Sequence, residues 1–404
     1  MVWIVIALYM CYSGIRLYVA LLEIGHVKKA KALPPVILSA QNYEKAAEYK
    51  IATQKFALVS IVYETLLFMG WVGFGIAFVN ELVVFENALL HSVVVVMLFI
   101  AMNYLLMLPF EIYQTFGLDK AFGFSTIDGR TFLLDQIKAS GMFLVFGGAF
   151  FWAMSAIMAY FTYWWMYGFL FSLGVILCIN MIYPIFIVPM FNKLTPLEDE
   201  SLKSSIEALL KRAGLKSSGV FSLDASKRDN RLNAYFGGLG SSKRVVLFDT
   251  LIAKLEKQEL LAVLGHELGH FKHKDILKNI ASSAVMLFVM FALFGNLPQT
   301  LFDALHVKKE AGSVMILFLL LSPLVLFIFM PLFGLVSRYN EYRADAYGSE
   351  CESKEALCSA LVKLADENRS FPYAHPLSIV LYFTHPPLLQ RLEKLGMPLS
   401  KGDA

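Results

Sequence analysis

The chain has 404 residues, of which 57% are hydrophobic and 17% are charged. Soluble domains are roughly 45–50% apolar, so this composition argues against a single large water-soluble core. The formal net charge of +3 is too small to indicate a nucleic-acid-binding surface. Because the apolar residues are concentrated in long runs, the chain is predicted to span a membrane.

Seven hydrophobic stretches are long enough to cross a bilayer as helices. They comprise residues 1–25, 57–80, 89–110, 143–162, 166–191, 281–298 and 313–337. The first stretch is similar in length to a signal peptide, but it lacks a basic start and a convincing small-residue cleavage site. It is therefore predicted to be a retained membrane helix.

Basic residues set the predicted orientation, because cytoplasmic connections of membrane proteins are enriched in Lys and Arg. The connection 26–56 carries six lysines, whereas the next connection, around 80–87, carries two glutamates and no basic residue. With the N-terminus outside, the predicted cytoplasmic segments are 26–56, 111–142, 192–280 and 338–404. Lys308 and Lys309, in the outward-facing sixth connection, are the main exception to the pattern.

The large polar segment 192–280 is predicted to form a folded domain in the cytoplasm. Residues 198–214 have the spacing of an amphipathic helix that ends at a glycine. Residues 218–224 and 243–249 are rich in Val and Phe and are predicted strands, which indicates a small hairpin or three-stranded sheet. The chain is therefore predicted to have four parts. Five membrane helices occupy 1–191, this cytoplasmic domain occupies 192–280, two further membrane helices occupy 281–337, and a cytoplasmic C-terminal part occupies 338–404.

The sequence Gly-His-Glu-Leu-Gly-His-Phe, which includes His266, Glu267 and His270, has the pattern of a zinc-binding helix. Residues four apart share one face of a helix, so both imidazoles can reach one metal ion. Glu267 lies beside them and can accept a proton from a water that the metal activates. The predicted helix, 256–277, carries several charged residues and cannot be a lipid-facing span. The sequence therefore predicts one Zn²⁺ per chain, and the cytoplasmic segment 192–280 is predicted to be the catalytic domain.

Two histidines do not complete a zinc site, so a third ligand is required from elsewhere in the chain. Glu341, at the cytoplasmic end of the seventh span, is the best candidate. No helix breaker follows this span, so the helix should continue through Glu341, and the C-terminal part 338–404 is predicted to complete the active site. Asp345 lies one turn beyond it and is predicted to accept the second ring N–H of a ligating histidine. His273 competes as a ligand, but it lies about 10 Å along the helix from His266. The alternative for the two acidic residues is an ordinary solvated helix.

A second polar cluster, Thr-His-Pro-Pro, is found at 384–387. His385 is a candidate donor to the oxyanion that forms when water attacks a peptide carbonyl. The alternative is a turn histidine that two prolines hold rigid. His375 also precedes a proline, so spacing alone does not choose between the two histidines.

Several separated blocks occur in the order that is typical of one known family. They are residues 122–138, 184–193 and 243–251, the zinc helix, the Ser-Arg-x-x-Glu-x-x-Ala-Asp segment at 337–345 and the His-Pro-Pro…Arg segment at 385–391. On these blocks the chain resembles the type 1 CAAX prenyl protease family of integral-membrane zinc endopeptidases. The resemblance covers nearly the whole chain.

The resemblance assigns zinc binding and catalysis to the histidines and glutamates already named. It implies further contacts with the substrate or the transition state from Asn233, Ala234, His385 and Arg391. The implied fold is a mainly α membrane protein, with seven transmembrane helices that enclose a water-filled intramembrane chamber. A cytoplasmic zinc-protease domain with a small β-sheet caps this chamber. The implied partners are the lipid bilayer and a peptide or protein substrate, with or without an attached lipid. Nucleic acid is not an implied partner, and the oligomeric state stays open.

Two departures from the family bear on substrate and location. The sixth connection is short, and residues 400–404 carry no endoplasmic-reticulum retrieval signal. A bacterial inner membrane is therefore predicted, with the endoplasmic reticulum as the alternative. Bacteria generally lack protein prenylation, so a quality-control protease for membrane proteins or peptides, with no prenyl requirement, is the alternative function.

Two other classes of protein share parts of this pattern. An intramembrane protease carries its zinc motif within a hydrophobic span, but the motif helix here is charged. A channel or transporter with a structural zinc usually shows four protein ligands, with Cys common among them. The sequence offers three ligands and no nearby Cys, which favours an open catalytic position.

Overall fold

The computed structural model describes residues 1–215, 217–237 and 243–397. Residues 400–404, on which the prediction about a retrieval signal rests, lie outside this range. The α-helices are α1 (Val2–Lys31), α2 (Ala40–Gly70), α3 (Ile76–Leu82), α4 (Ala88–Ile112), α5 (Gly129–Met142), α6 (Gly148–Tyr160), α7 (Trp164–Ile182), α8 (Val188–Phe191), α9 (Glu200–Arg212), α10 (Asp249–Ile252), α11 (Lys257–Lys272), α12 (Asp275–Gly295), α13 (Gln299–Ala304), α14 (Ala311–Cys351), α15 (Lys354–Glu367), α16 (Pro376–Tyr382) and α17 (Leu388–Leu395).

Seven helical segments of the described chain are long and apolar enough to cross a membrane, which agrees with the predicted number. They are Val2–Lys31, Ala40–Leu82, Ala88–Asp119, Gly129–Tyr160, Trp164–Phe191, Asp275–Gly295 and Ala311–Cys351. Short π-helical stretches join α2 to α3, α5 to α6 and α7 to α8, and one extends α4. The helices are continuous across these stretches because each is only a local widening of the turn.

Several of these helices extend beyond the predicted membrane spans, and for the seventh the continuation through Glu341 was expected. The second begins at Ala40 rather than near residue 57, and the hydroxyl of Ser39 caps it by accepting the Asn42 N–H. Helix α14 has 41 residues, which corresponds to about 60 Å, or roughly twice the thickness of a bilayer core. The predicted spans end where charged residues begin. Charge ends a membrane span but not a helix, so α14 continues from the bilayer into the catalytic domain.

Packing separates a membrane part from a catalytic part. Val95, Phe294 and Ile316 are buried in one cluster where α4, α12 and α14 meet. Large apolar side chains such as those of Leu66 and Ile328 are instead exposed. Exposed apolar side chains along membrane-spanning helices are suited to contact with lipid acyl chains.

A four-stranded mixed sheet forms the base of the catalytic domain, with strand order β1-β2-β4-β3. The strands are β1 (Leu194–Pro196), β2 (Val220–Leu223), β3 (Ala234–Gly237) and β4 (Arg244–Phe248). Strands β2 and β4 are parallel, and the outer pairs are antiparallel. The predicted hairpin or three-stranded sheet was wrong by one strand, because β1 has three residues and includes a proline, too short a signal to recognise. Strand β3 lies at the edge of the sheet.

Helix α11 packs on this sheet and carries the zinc motif. Leu264 and Leu268 are buried with Ile206 of α9 and Val245 of β4. A capping box between Glu256 and Glu259 starts the helix. The predicted helix to residue 277 was too long, because α11 ends at Lys272 and Lys274 adopts a left-handed conformation with φ of 58°. No Gly or Pro marks this break, so sequence patterns gave no sign of it.

Candidate active site

Close contact between α11 and α14 positions the site. A Cβ atom at Gly269 would lie 2.8 Å from the Cα of Ala344. A Cβ atom at Gly348 would lie 2.9 Å from the backbone nitrogen of His266. Because only glycine fits at such short distances, the two glycines let the helix backbones approach each other. Glu341, about two turns before Gly348 on α14, is thereby brought against the two histidines of α11.

His266, His270 and Glu341 converge as the sequence predicts. The Oε1 atom of Glu341 lies 3.2 Å from Nε2 of His270, and its Oε2 atom lies 3.5 Å from Nε2 of His266. One ligand atom from each of the three residues lies within 4.8 Å of the others. The Oε2 atom of Glu341 is buried and has no hydrogen-bond partner among the described residues. Two imidazoles and one carboxylate suit a divalent metal with an open fourth position, and an unpaired buried oxygen fits a ligand role.

Asp345 lies behind His266, at the predicted position. Its Oδ1 atom is 2.8 Å from Nδ1 of His266, which leaves Nε2 of that ring directed at Glu341. Arg391 of α17 donates to both carboxylate oxygens of Asp345, at 2.8 and 2.6 Å. This paired contact fixes the orientation of the carboxylate, and the carboxylate fixes that of the imidazole.

Asp275 makes the matching contact to the other histidine, and sequence reasoning missed it. Its Oδ2 atom lies 3.2 Å from Nδ1 of His270, and its Oδ1 atom accepts from Lys278 at 2.9 Å. In a helix that continued to residue 277, Asp275 would lie beyond His270 on another face. The left-handed Lys274 turns the chain, so that the first residue of α12 points back at His270. The sequence feature that could have indicated this contact is the acidic residue Asp275 shortly after the zinc motif.

Glu267 projects from the same turn of α11 as the two histidines. Burial raises the pKa of its carboxyl group, while the nearby imidazoles oppose that change and the Glu341 carboxylate adds to it. A carboxylate with a raised pKa is a stronger base than an ordinary surface glutamate. Glu267 therefore combines the position and the basicity that proton transfer requires.

The structure distinguishes the two proline-linked histidines. Nε2 of His385 lies 3.3 Å from Oε1 of Glu341, and the side chain is 64% exposed. Arg338 of α14 donates to the backbone carbonyls of Ile379 and Phe383, which holds the segment that leads to His385. His375 instead caps α16, where its ring accepts the Leu377 N–H. Of these two histidines, His385 faces the metal-binding group and His375 does not.

The remaining predicted residues lie around this centre. Asn233 precedes the edge strand β3, Ala234 begins it, and this strand contacts α11. The side-chain oxygen of Asn233 accepts the Ala234 N–H at 2.8 Å. His273 ends α11 with its ring beside Tyr347 and is not part of the ligand group among the described residues.

Comparisons with known proteins cover nearly the whole chain. Residues 196–398 match the family described as Peptidase family M48. Residues 23–193 match the family described as CAAX prenyl protease N-terminal, five membrane helices. The two ranges meet at β1, where the chain passes from the membrane helices to the sheet.

Individual relatives agree with these matches. CAAX prenyl protease 1 of Saccharomyces cerevisiae is 32% identical over 401 residues, covering 90% of this chain and 88% of the relative. A human CAAX prenyl protease 1 homolog is 30% identical, covering 89% and 87% respectively. The crystal structure of S. mikatae Ste24p superposes with a TM-score of 0.90 at 30% identity, covering 98% of each chain.

Proposed function

Because the chain belongs to peptidase family M48 and is an integral-membrane metalloendopeptidase, we propose that its metal is one Zn²⁺, held by His266, His270 and Glu341. The convergence of these three side chains is the observation that carries the proposal. Zinc supplies Lewis acidity, which polarises a peptide carbonyl and makes water more acidic. The open coordination position favours a catalytic site over the structural zinc of a channel or transporter.

The residues around the metal have separate roles in the reaction. Glu267 accepts a proton from the attacking water and returns it to the leaving amine. His385, exposed next to Glu341, donates its ring N–H to the oxyanion of the transition state. Asp345 and Asp275 hold the two histidines from behind, and Arg391 holds Asp345; a direct contact of Arg391 with substrate remains a prediction.

The edge strand β3 supports a mode of substrate binding. An extended peptide that pairs with β3 would add a strand to the sheet, and its backbone hydrogen bonds would set the register of cleavage. Asn233 and Ala234 lie at the start of this strand, next to α11. They are the residues that we assign to substrate alignment.

The proposed substrates are proteins that end in a CAAX sequence, with a lipid on the cysteine, as the names of the relatives indicate. A peptide or membrane-protein quality-control protease without a prenyl requirement is the second candidate. Cleavage of a peptide library with and without a farnesylated cysteine separates the two, because only the first candidate requires the lipid. Mass spectrometry of the products identifies the bond that is cut.

We place the active site on the cytoplasmic side of the membrane. The last turn of α1 carries Lys28, Lys29 and Lys31, which supports a cytoplasmic end for this helix. The protein is a multi-pass membrane protein. Its expected location is a bacterial inner membrane, with the endoplasmic reticulum as the alternative, and fractionation of the native cells distinguishes them.

The catalytic assignment is tested by Glu267→Gln in purified, zinc-loaded protein. The amide keeps the size of the side chain but cannot accept the proton, so peptide cleavage should fall about 10²–10⁴-fold while zinc remains bound. Glu207→Gln, at an exposed position of α9, is the matched control and should keep full activity. Full activity of the zinc-loaded Glu267→Gln protein would refute the role of this residue.

A further inference from the structure

A partly open cavity of about 220 Å³, with charged side chains in an otherwise largely apolar lining, lies between α1, α2 and α16 and does not include the three metal ligands. Its lining includes Glu23, Lys50, Arg16 and Phe383. Resting on the proposed function, we propose that this cavity binds the C-terminal residue of the peptide substrate. Its carboxylate would accept from Lys50, and its amide N–H would donate to Glu23. The cavity is smaller than the roughly 300–1,000 Å³ of sites for drug-sized ligands, so it suits a chain end.

Glu23 supplies an unused acceptor in this cavity. The side chain is 1% exposed, and its Oε2 atom accepts the His375 N–H at 2.8 Å. Its Oε1 atom is buried without a hydrogen-bond partner among the described residues. A buried carboxylate oxygen that has an ion pair but no hydrogen bond is incompletely satisfied, so a ligand with an N–H donor would stabilise it.

Lys50 supplies unused donors next to the same atom. Its Nζ atom lies 3.4 Å from Oε1 of Glu23, as an ion pair without hydrogen-bond geometry, and the side chain is 28% exposed. The ammonium group also lies 5.4 Å from the centre of the Phe383 ring. Three N–H groups are available on an ammonium, and the contacts of the described residues leave donors for a ligand.

The charges of the cavity select the kind of ligand. Arg16 is already paired with Glu64 at 2.7 Å, so Lys50 is the cation that remains for an anion. Glu23 would repel a simple anion, and Lys50 would repel a simple cation. A group that presents an N–H beside a carboxylate satisfies both side chains, and the last residue of a peptide is such a group.

The chain connects this cavity directly to the metal-binding group. Phe383 lines the cavity, and His385, two residues later, lies 3.3 Å from Glu341. Two residue steps span at most about 7 Å. A peptide whose end occupies the cavity would therefore present a bond only a few residues from its C-terminus to the catalytic groups.

The experiment compares two peptides that are cleaved at the same bond and differ only in a free C-terminal carboxylate or a C-terminal amide. For the wild-type protein we expect kcat/KM to favour the free acid about tenfold or more, through KM, because a charge-assisted hydrogen bond is lost with the amide. Lys50→Met should abolish this preference, and Lys50→Arg should restore part of it. Lys45→Met, on the same helix outside the cavity, is the control and should keep the preference.

Equal kcat/KM of the wild-type protein for acid and amide would overturn the proposal while leaving the proposed peptidase function intact. A full preference for the acid in Lys50→Met would also overturn it. If Lys50→Met does not fold, Lys50→Gln replaces it in the same comparison of the two peptides. Loss of the preference for the free acid in Lys50→Gln supports the cavity as the carboxylate site, and a full preference contradicts it.

Discussion

At the scale of single residues, the spacing of the motif was sufficient to predict most of the candidate metal site. His266 and His270 are one helical turn apart, and Glu341 and Asp345 are likewise one turn apart on α14. Helical periodicity therefore predicted each pair, and the structure brings the two pairs together. Asp275 could not be predicted in the same way, because its contact with His270 depends on the left-handed Lys274 between α11 and α12.

The protonation of His270 leads to a prediction about metal binding. Burial lowers the pKa of this imidazole, but its contacts with the carboxylates of Glu341 and Asp275 outweigh burial and raise the pKa to about 9. The ring is thus protonated at neutral pH before a metal binds, and zinc must displace that proton. We expect the zinc affinity to fall about tenfold for each unit by which the pH drops below that value.

Competition with a chelator of known zinc affinity, at a series of pH values, measures this dependence. Asp275→Asn removes one carboxylate from His270, so the pKa of the imidazole should fall and the dependence should flatten near neutral pH. A zinc affinity of the wild-type protein that does not change between weakly acidic and weakly alkaline pH would contradict this description of the site.

At the scale of elements, the long helix α14 and its contact with α11 are decisive. Hydrophobic runs identified the seventh span, and the lack of a helix breaker after it indicated that the helix continues to Glu341. Sequence patterns do not show which face of α14 meets α11. The face of α14 that meets α11 is determined by Gly269 and Gly348, whose lack of a side chain permits contact between the two helix backbones. It is a property of the packed pair and not of either segment alone.

Gly269→Ala tests this packing. The added methyl group would lie 2.8 Å from the Cα of Ala344, a backbone atom that cannot rotate away. We expect a loss of about 1–3 kcal/mol of stability together with weaker zinc binding, because the helices must separate. Thermal unfolding and zinc content measure the two effects.

Gly14→Ala in α1 is the control for this substitution, because no atom lies within 4 Å of the added methyl group. Alanine favours a helix over glycine by about 1 kcal/mol, so this variant should be unchanged or slightly more stable. Equal stability and zinc content of Gly269→Ala and the wild-type protein would show that the close approach of α11 and α14 is unnecessary.

At the scale of the whole molecule, composition and long hydrophobic runs predicted a multi-pass membrane protein with seven spans, and this is confirmed. The resemblance to the CAAX prenyl protease family is confirmed by the family matches. The sheet and the exact helix ends were less predictable, because short strands and helices that leave the bilayer have weak sequence signals. The water-filled chamber and the orientation in the membrane stay predictions.

The orientation is tested by cysteine labelling in a variant that lacks the four native cysteines. Glu207→Cys lies in α9, and Lys308→Cys follows the sixth span, so one membrane crossing separates them. In sealed vesicles with the cytoplasmic side inside, a membrane-impermeant maleimide should label Lys308→Cys at once. Glu207→Cys should react only after permeabilisation. Labelling of both positions from the same side would contradict the proposed topology.

The zinc content of the purified protein tests whether His266, His270 and Glu341 together hold one catalytic metal ion. We expect one zinc per wild-type chain. Glu341→Gln should lose more zinc affinity than the ~10–100-fold typical for loss of a residue that only supports a ligand. Glu207→Gln should retain the full metal content. An active protein without a bound transition metal, or a Glu341→Gln protein that keeps one tightly bound zinc, would contradict this metal site.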